Sequence, residues 1–241
     1  PLLEINNLYV YFKMPNYRSI AISGLSLKAY PGEILTIVGA SGSGKSVLAH
    51  SILGLLPRNA VCSGEIIYDG NSVDNNLLSE LRGKEIAYIP QNVSSLNPLV
   101  KVGKQVRNFS KDFELKKKQQ KIFKDYSLDE AVEKLYPFQL SGGMARRVLI
   151  SMAVMKDPNL IIADEPTPGL DIVSAKKTMN YFKDLASKNK AVIIITHDIE
   201  LAINYSDKIA IFYAGQILEL TKAEYFKKGP QYLRHPYTRA L

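Results

Sequence analysis

Eight consecutive residues, Gly39-Ala40-Ser41-Gly42-Ser43-Gly44-Lys45-Ser46, fit the phosphate-binding pattern G-x-x-x-x-G-K-[ST] at every fixed position. In such a loop the backbone N–H groups of Gly39, Ser41, Gly42, Ser43 and Gly44 close around phosphate oxygens, and the helix that follows adds the partial positive charge of its N-terminus. Lys45 is placed to reach the β- and γ-phosphates of a nucleoside triphosphate, and the Ser46 hydroxyl to ligand Mg²⁺.

Four further groups could do chemistry with a bound nucleotide. Leu160-Ile161-Ile162-Ala163 is an apolar run that ends in the two carboxylates Asp164 and Glu165. Side chains alternate along a strand, so the acids can divide the work: Asp164 to hold Mg²⁺, Glu165 to polarise an attacking water. A charge at the end of a buried strand needs a partner, which weighs against two merely solvated acids. His197 follows a second apolar run, at the end of a parallel strand where ligands bind in such sheets; a neutral imidazole there could contact the γ-phosphate and orient the water. Gln91 follows Pro90 at a strand end, and its amide could ligand Mg²⁺ or its water. Leu140-Ser141-Gly142-Gly143-Met144 stands before a helix expected from about Ala145 to Lys156, a second N-terminus suited to an anion. Arg146 and Arg147 in its first turn oppose the helix dipole, so they are expected to serve a partner or an acid.

The elements that must position these groups alternate between strand and helix. Ile34–Val38 reads as a buried strand leading into the loop, and Ser46 to Leu56 as a helix stopped by Pro57. Residues 2–12 alternate like one or two strands. Leu25–Leu27 reads as a short strand, and Gly64–Gly70 and Glu85–Ile89 as strands. From Asn92 to about Ser141 strand signals vanish; a Lys-rich helical stretch is followed by a second helical segment, Leu128–Leu135. Strand signals return at Leu160–Ala163 and Ala191–Thr196. Ser174 is the expected N-cap of a helix to Ser187, with Met179, Phe182 and Leu185 facing a core. A hairpin is expected from Ile209–Tyr213 and Gln216–Leu220. Together they form an α/β protein with a largely parallel sheet.

Composition narrows the function classes. The 241 residues can hold one sizeable domain, and the single cysteine, Cys62, excludes an internal disulfide or a cysteine metal cluster. No apolar run approaches the roughly 20 residues that span a bilayer. The net charge is +8, but residues 101–124 alone carry nine basic side chains against two acidic ones. A patch this local argues against an extended nucleic-acid track. It reads either as a solvated helical face or as a surface near anionic lipid headgroups.

Gly39–Ser46, Gln91, Leu140–Gly143, Asp164-Glu165, Gly169-Leu170-Asp171 and His197 together resemble the nucleotide-binding subunit of ATP-binding cassette (ABC) proteins. They correspond, in order, to its Walker A, Q-loop, signature, Walker B, D-loop and H-loop. The resemblance covers essentially the whole chain, and Leu-Ser-Gly-Gly is its most specific part.

It implies a P-loop NTPase (RecA-like) core with a mostly parallel sheet, an N-terminal antiparallel β subdomain and an inserted α-helical subdomain. The expected division is a core of residues 1–91 and 157–241 and a helical part of residues 92–156. It implies ATP and Mg²⁺ as cofactors and a head-to-tail dimer, homo- or heterodimeric. Each ATP would lie between Lys45 of one protomer and Ser141, Gly142 and Gly143 of the other, with Asp171 also among the nucleotide-binding residues. Phe12 is the choice for the aromatic that stacks on adenine, with Tyr11 as the alternative.

Met144 and the segment Arg234-His235-Pro236-Tyr237-Thr238-Arg239-Ala240-Leu241 resemble the oligopeptide, dipeptide and nickel importer subfamily. The reading is therefore the ATPase subunit of an importer for small peptides or nickel. It would sit peripherally on the cytoplasmic face of the cell membrane, with separate permease subunits and, indirectly, an extracellular solute-binding protein. No nucleic-acid partner is expected. The chain ends before the cysteine-rich tail of longer members, so no iron–sulfur cluster is expected, and the short chain leans slightly toward nickel. The alternative is an ABC ATPase acting on nucleic acid or ribosomes, but the 49 residues between Gln91 and Ser141 leave no room for a long coiled-coil insert. Ala40, Pro168-Gly169 and Ala145-Arg146-Arg147 depart from the usual pattern without removing a catalytic group.

Overall fold

The structure, a computed structural model, describes all 241 residues. Two long strands open it, β1 (Leu3–Lys13) and β2 (Arg18–Ala29). The short β3 (Ile34–Val38) leads through the glycine-rich loop into α1 (Lys45–Ile52). Next come β4 (Ala60–Tyr68), β5 (Asn71–Ser72), α2 (Asn75–Leu81) and β6 (Ile86–Ile89). Helices alone fill the stretch that follows: α3 (Val102–Val106), α4 (Phe113–Asp125) and α5 (Gly142–Val154), with short 3-10 turns between them. Strands and helices then alternate: β7 (Leu160–Asp164), α6 (Ile172–Ser187), β8 (Ala191–Thr196), α7 (Ile199–Tyr205). The hairpin β9 (Lys208–Tyr213) and β10 (Gln216–Lys222) precedes the short α8 (Ala223–Lys228) and α9 (Pro236–Ala240).

The strands form two sheets: an antiparallel one in the order β2-β1-β4-β5, and a six-stranded one in the order β10-β9-β3-β8-β7-β6. In the second, β9, β3, β8, β7 and β6 run parallel and β10 is antiparallel at the edge. The central strands β3, β7 and β8 are buried along their whole length, as expected of a parallel sheet covered on both faces. Their alternation divides the core. Leu35, Ile37, Leu160, Ile162, Ile193 and Ile195 pack toward α1 and the antiparallel sheet. Ile34, Ile161, Ala163, Val192 and Ile194 pack toward α4, α5 and α6. The strands are thus clamped between layers, and the loops at their C-terminal ends hold the candidate site.

Several local expectations are corrected. Leu25–Leu27 is the end of a twelve-residue strand, interrupted in register near Gly24. The loop helix ends at Ile52, before Gly54 at φ +61° and ahead of Pro57. Leu128–Leu135 forms only a 3-10 turn, Glu130–Lys134. The helix after Leu140 begins at Gly142, with Ser141 as its N-cap accepting from Met144 N–H at 3.2 Å, so both signature glycines lie in its first turn. The N-cap of α6 is Asp171, whose carboxylate accepts from the N–H groups of Val173 and Ser174 at 3.0 Å each and from the Ser174 hydroxyl at 2.6 Å. The carboxylate satisfies two orphan donors where the Ser174 hydroxyl could satisfy one.

Candidate active site

The glycine-rich loop is fixed from outside as well as within. Gly44 sits at φ +107°, and a Cβ there would stand 2.6 Å from the Ala21 carbonyl of β2, so only glycine lets the antiparallel sheet approach this closely. Gly215 N–H, in the β9–β10 turn, donates to the Ser43 carbonyl at 3.2 Å. Lys45, buried, donates through Nζ to the carbonyls of Gly39 at 2.7 Å and Ala40 at 2.9 Å. Burial pushes its ammonium below its ordinary pKa, opposed by the charges of Glu165 and Asp164. The Ser43 hydroxyl is buried in the loop without a hydrogen-bond partner. A buried orphan hydroxyl beside a concave ring of N–H groups is what a phosphate oxygen would satisfy.

Beside the loop stands Asp164, the last residue of β7. Its Oδ2 accepts from the Ser46 hydroxyl at 2.9 Å and from the Tyr88 hydroxyl at 3.3 Å. Burial pushes the Asp164 carboxyl above its ordinary value, against the two hydroxyl donors. A desolvated carboxylate next to a serine hydroxyl is a hard-oxygen pair of the kind that Mg²⁺ takes, so the residues present fit that cation.

Glu165, the next residue, leaves the strand with φ +47°, a left-handed backbone costing a non-glycine residue roughly 1–2 kcal/mol. Its N–H still donates to the Ile195 carbonyl at 2.8 Å, so the turn is held by β8. The bend carries the carboxylate onto the end of β8, where Oε2 accepts from the buried Thr196 hydroxyl at 3.2 Å and Oε1 lies 2.9 Å from His197 Nδ1. Thr196 Oγ1 in turn accepts from Asp198 N–H at 3.1 Å. Lys45, Ser46, Asp164, Glu165 and His197 therefore share one site at the ends of adjacent strands, whereas the Gln91 side chain is exposed and makes no hydrogen bond. Gln91 is attached by its backbone: Arg146, 5% exposed, donates through Nη2 to the Gln91 carbonyl at 2.7 Å and through Nη1 to that of Pro90 at 2.8 Å. The hydrogen bonds of Arg146 thus go to two carbonyls rather than to an acid, while burial lowers its pKa against the charges of Asp164 and Glu165. Arg147 likewise bonds carbonyls, of Gly143 and Ser127, at 3.3 Å each.

Ser141, Gly142, Gly143 and Asp171 make no hydrogen bond to Lys45, Ser46, Asp164, Glu165 or His197. They neighbour each other instead: a Cβ on Gly143 would lie 3.5 Å from the Leu170 side chain, next to Asp171. Phe12 is half-buried near the end of β1, opposite Ser19 of β2 and Ala60 of β4. The ring of Tyr11 lies 5.1 Å from the Arg18 guanidinium.

The sequence profile of the ABC transporter family matches residues 22–168, well over half of the chain. The chain belongs to the ABC transporter family. It is an ABC ATPase with the P-loop NTPase fold. The whole cassette is 38% identical to the oligopeptide transport ATP-binding protein OppD of Bacillus subtilis (strain 168), covering 70% of that protein. It is 36% identical to OppD of Salmonella typhimurium (strain LT2), covering 75% of it. Among solved structures it is similar to the dimeric cassette MJ0796, described as a bacterial ABC transporter cassette. There the TM-score is 0.83 at 29% identity, over 92% of this chain and 98% of that one. A dimeric post-hydrolysis state of MJ0796 bound to ADP and Pi is similar at a TM-score of 0.82.

Two residues of the candidate site, Tyr88 and Thr196, escaped sequence reasoning. Tyr88 looked like strand filler, yet at the third position of β6 its hydroxyl reaches Asp164; burial pushes that phenol well above its ordinary pKa, so it stays a donor. Thr196 looked like the polar end of an apolar strand. Arg146 stands out in the sequence as a first-turn cation opposing the helix dipole, but α5 starts at Gly142, which places Arg146 in the second turn, and its hydrogen-bond targets are the Pro90 and Gln91 carbonyls.

Proposed function

We propose that this chain is the ATP-hydrolysing subunit of an importer for oligopeptides, working as a head-to-tail dimer beneath separate membrane subunits. The observation that carries the reading is the hydrogen-bonded set Ser46–Asp164 and Glu165–His197 beside the buried Lys45 ammonium. In this reading Lys45 exchanges the carbonyls of Gly39 and Ala40 for the β- and γ-phosphates of ATP, while the N–H groups from Gly39 to Gly44 cradle them. Ser46, Asp164 and Gln91 would hold Mg²⁺, which supplies charge neutralisation between the phosphates. Glu165 accepts the proton of the attacking water, and His197 holds Glu165 and the γ-phosphate in register. Phe12 stacks on the adenine.

The separation of Ser141, Gly142, Gly143 and Asp171 from the Lys45 network supports a composite site. Each protomer offers its signature helix N-terminus to the ATP on its partner's loop. Arg146 gives the coupling a physical path, because a shift of the Gln91 segment pulls directly on α5, whose N-terminus carries the signature. That segment is the surface proposed to meet the permease, at the cytoplasmic face of the membrane; no helix here is long and apolar enough to cross one. The names of the relatives weigh for peptides over nickel. A role on nucleic acid or ribosomes has no observation in its favour.

Uptake tests this reading. Cells lacking the chain should lose import of a labelled oligopeptide and keep that of labelled nickel, with rescue by the wild type and not by Glu165→Gln. Intact peptide import, or rescue by Glu165→Gln, would sink it.

A further inference from the structure

The basic segment noted in the sequence is not used by the ATP site, and the structure gives it a shape. Helix α4 buries Gln119, Ile122 and Phe123. Its opposite face carries Phe113, Lys117, Lys121 and Lys124, at i, i+4, i+8 and i+11, all exposed. Lys117 and Lys121, and Lys121 and Lys124, stand at the spacings where like charges destabilise a helix. Glu114, at 3.1 Å from Lys117, is the one acid ion-paired with this helix. Asp125, Asp157 and Asp184 line the groove between α4 and α6, which Lys118 and Lys121 share; five lysines of α4 still outnumber its two acids, Glu114 and Asp125. A self-repelling face in an otherwise nearly neutral chain is built for an anionic counterpart.

A second observation selects which one. The turn entering α4 holds two successive non-glycine residues in the left-handed region, Asn108 at φ +50° and Phe109 at φ +63°. They close the C-terminus of α3: the N–H groups of Asn108 and Phe109 donate to the carbonyls of Gln105 at 2.9 Å and Lys104 at 2.7 Å. The turn leaves Phe109 63% exposed, four residues before Phe113 at 65%. Lys117 Nζ lies 4.5 Å from the centroid of the Phe113 ring. Exposed rings at the end of a lysine stripe match the boundary between phosphate headgroups and acyl chains. A nucleic acid would ask for a longer basic track than this segment offers.

We propose that the Phe109–Lys124 segment is a docking surface for anionic phospholipid headgroups, seating the cassette against the membrane independently of its permease. The inference goes beyond the ATPase reading and uses none of its residues.

Vesicle co-sedimentation of the whole chain tests it. The chain should pellet with phosphatidylglycerol vesicles and not with phosphatidylcholine ones, and binding should fall steeply as KCl rises from about 50 to about 300 mM. The triple variant K117Q/K121Q/K124Q should bind at least about tenfold more weakly. The double variant F109S/F113S should lose the binding that survives at high salt. Both should bind a fluorescent ATP analogue as the wild type does, which shows that they are folded and separates this test from that of the ATP site. Equal binding to the two vesicle types, no binding to either, unchanged binding by the triple variant, or displacement from vesicles by RNA or polyglutamate at matched charge would overturn the proposal.

Discussion

Glu165 Oε1 and His197 Nδ1 meet at 2.9 Å across the ends of neighbouring parallel strands, and this contact exists only because Glu165 adopts a left-handed backbone. An extended residue there would continue the alternation of β7 and turn the carboxylate away from β8. Thr196 takes the other oxygen at 3.2 Å, so the carboxylate is held at both ends before any substrate arrives. Removing the Thr196 hydroxyl with Thr196→Val leaves Oε2 free to swing. The expected outcome is a fall in kcat of about tenfold to a hundredfold with KM for ATP unchanged, and recovery in Thr196→Ser, because a hydrogen bond to a charged carboxylate contributes about 1.5–3 kcal/mol. Steady-state ATPase assays check it; a raised KM with unchanged kcat would reassign Thr196 to binding.

Tyr88 predicts a metal phenotype. If Ser46 turns to Mg²⁺ as proposed, the Tyr88 hydroxyl still holds Asp164 Oδ2, so Tyr88→Phe should raise the Mg²⁺ concentration for half-maximal ATP-analogue binding several-fold. Binding without Mg²⁺ should be unchanged. A titration of fluorescent nucleotide with and without Mg²⁺ reads both, and equal losses in the two conditions would count against the assignment.

Arg146 carries a stability prediction. Its buried guanidinium donates to two carbonyls, and bonds to a charged group contribute about 1.5–3 kcal/mol. Arg146→Met should lower the chemical-denaturation free energy by about 2–4 kcal/mol and make the Gln91 segment protease-sensitive. An unchanged midpoint would mean that water replaces the bonds without loss.

Glu219 gives a pH window. Burial raises its pKa, but the N–H groups of Arg234 and His235, each 2.9 Å from a carboxylate oxygen, outweigh burial and hold it below its ordinary value. A depressed carboxyl stabilises the fold above its unfolded pKa, and that stability is lost as pH falls through the folded one. The segment from Arg234 to Leu241 should therefore loosen only below about pH 4, and Glu219→Gln should loosen it at neutral pH. Amide exchange of residues 234–241 measures both.

Much of this was legible in the sequence, and the failures have physical causes. Fully apolar runs such as Ala191–Thr196 announce buried parallel strands without competition. The exposed half of β2 could not be read, because Ser19, Ile20 and Gly24 break alternation at a register shift that only pairing with β1 reveals. Glycine's low helix propensity hid the true start of α5 at Gly142. Asp171 and Ser174 are both good cap residues three apart, and the choice of Ser174 failed because the sequence does not show which of them leaves the helical backbone. The groups proposed for the site could be named because they stand in tight motifs. Tyr88 and Thr196 were missed because a hydroxyl's partner depends on the strand beside it.

The most direct test of the central claim uses Glu165→Gln, in which the carboxylate is neutral and a general base worth about 10²–10⁴-fold is gone. Its oligomeric state is measured by light scattering with and without ATP and Mg²⁺, alone and combined with Ser141→Arg. The account predicts an ATP-dependent dimer of Glu165→Gln with almost no turnover, and a monomer that still binds ATP once Ser141→Arg is added. Wild-type turnover by Glu165→Gln, or undiminished dimers of the Ser141→Arg combination, would contradict it.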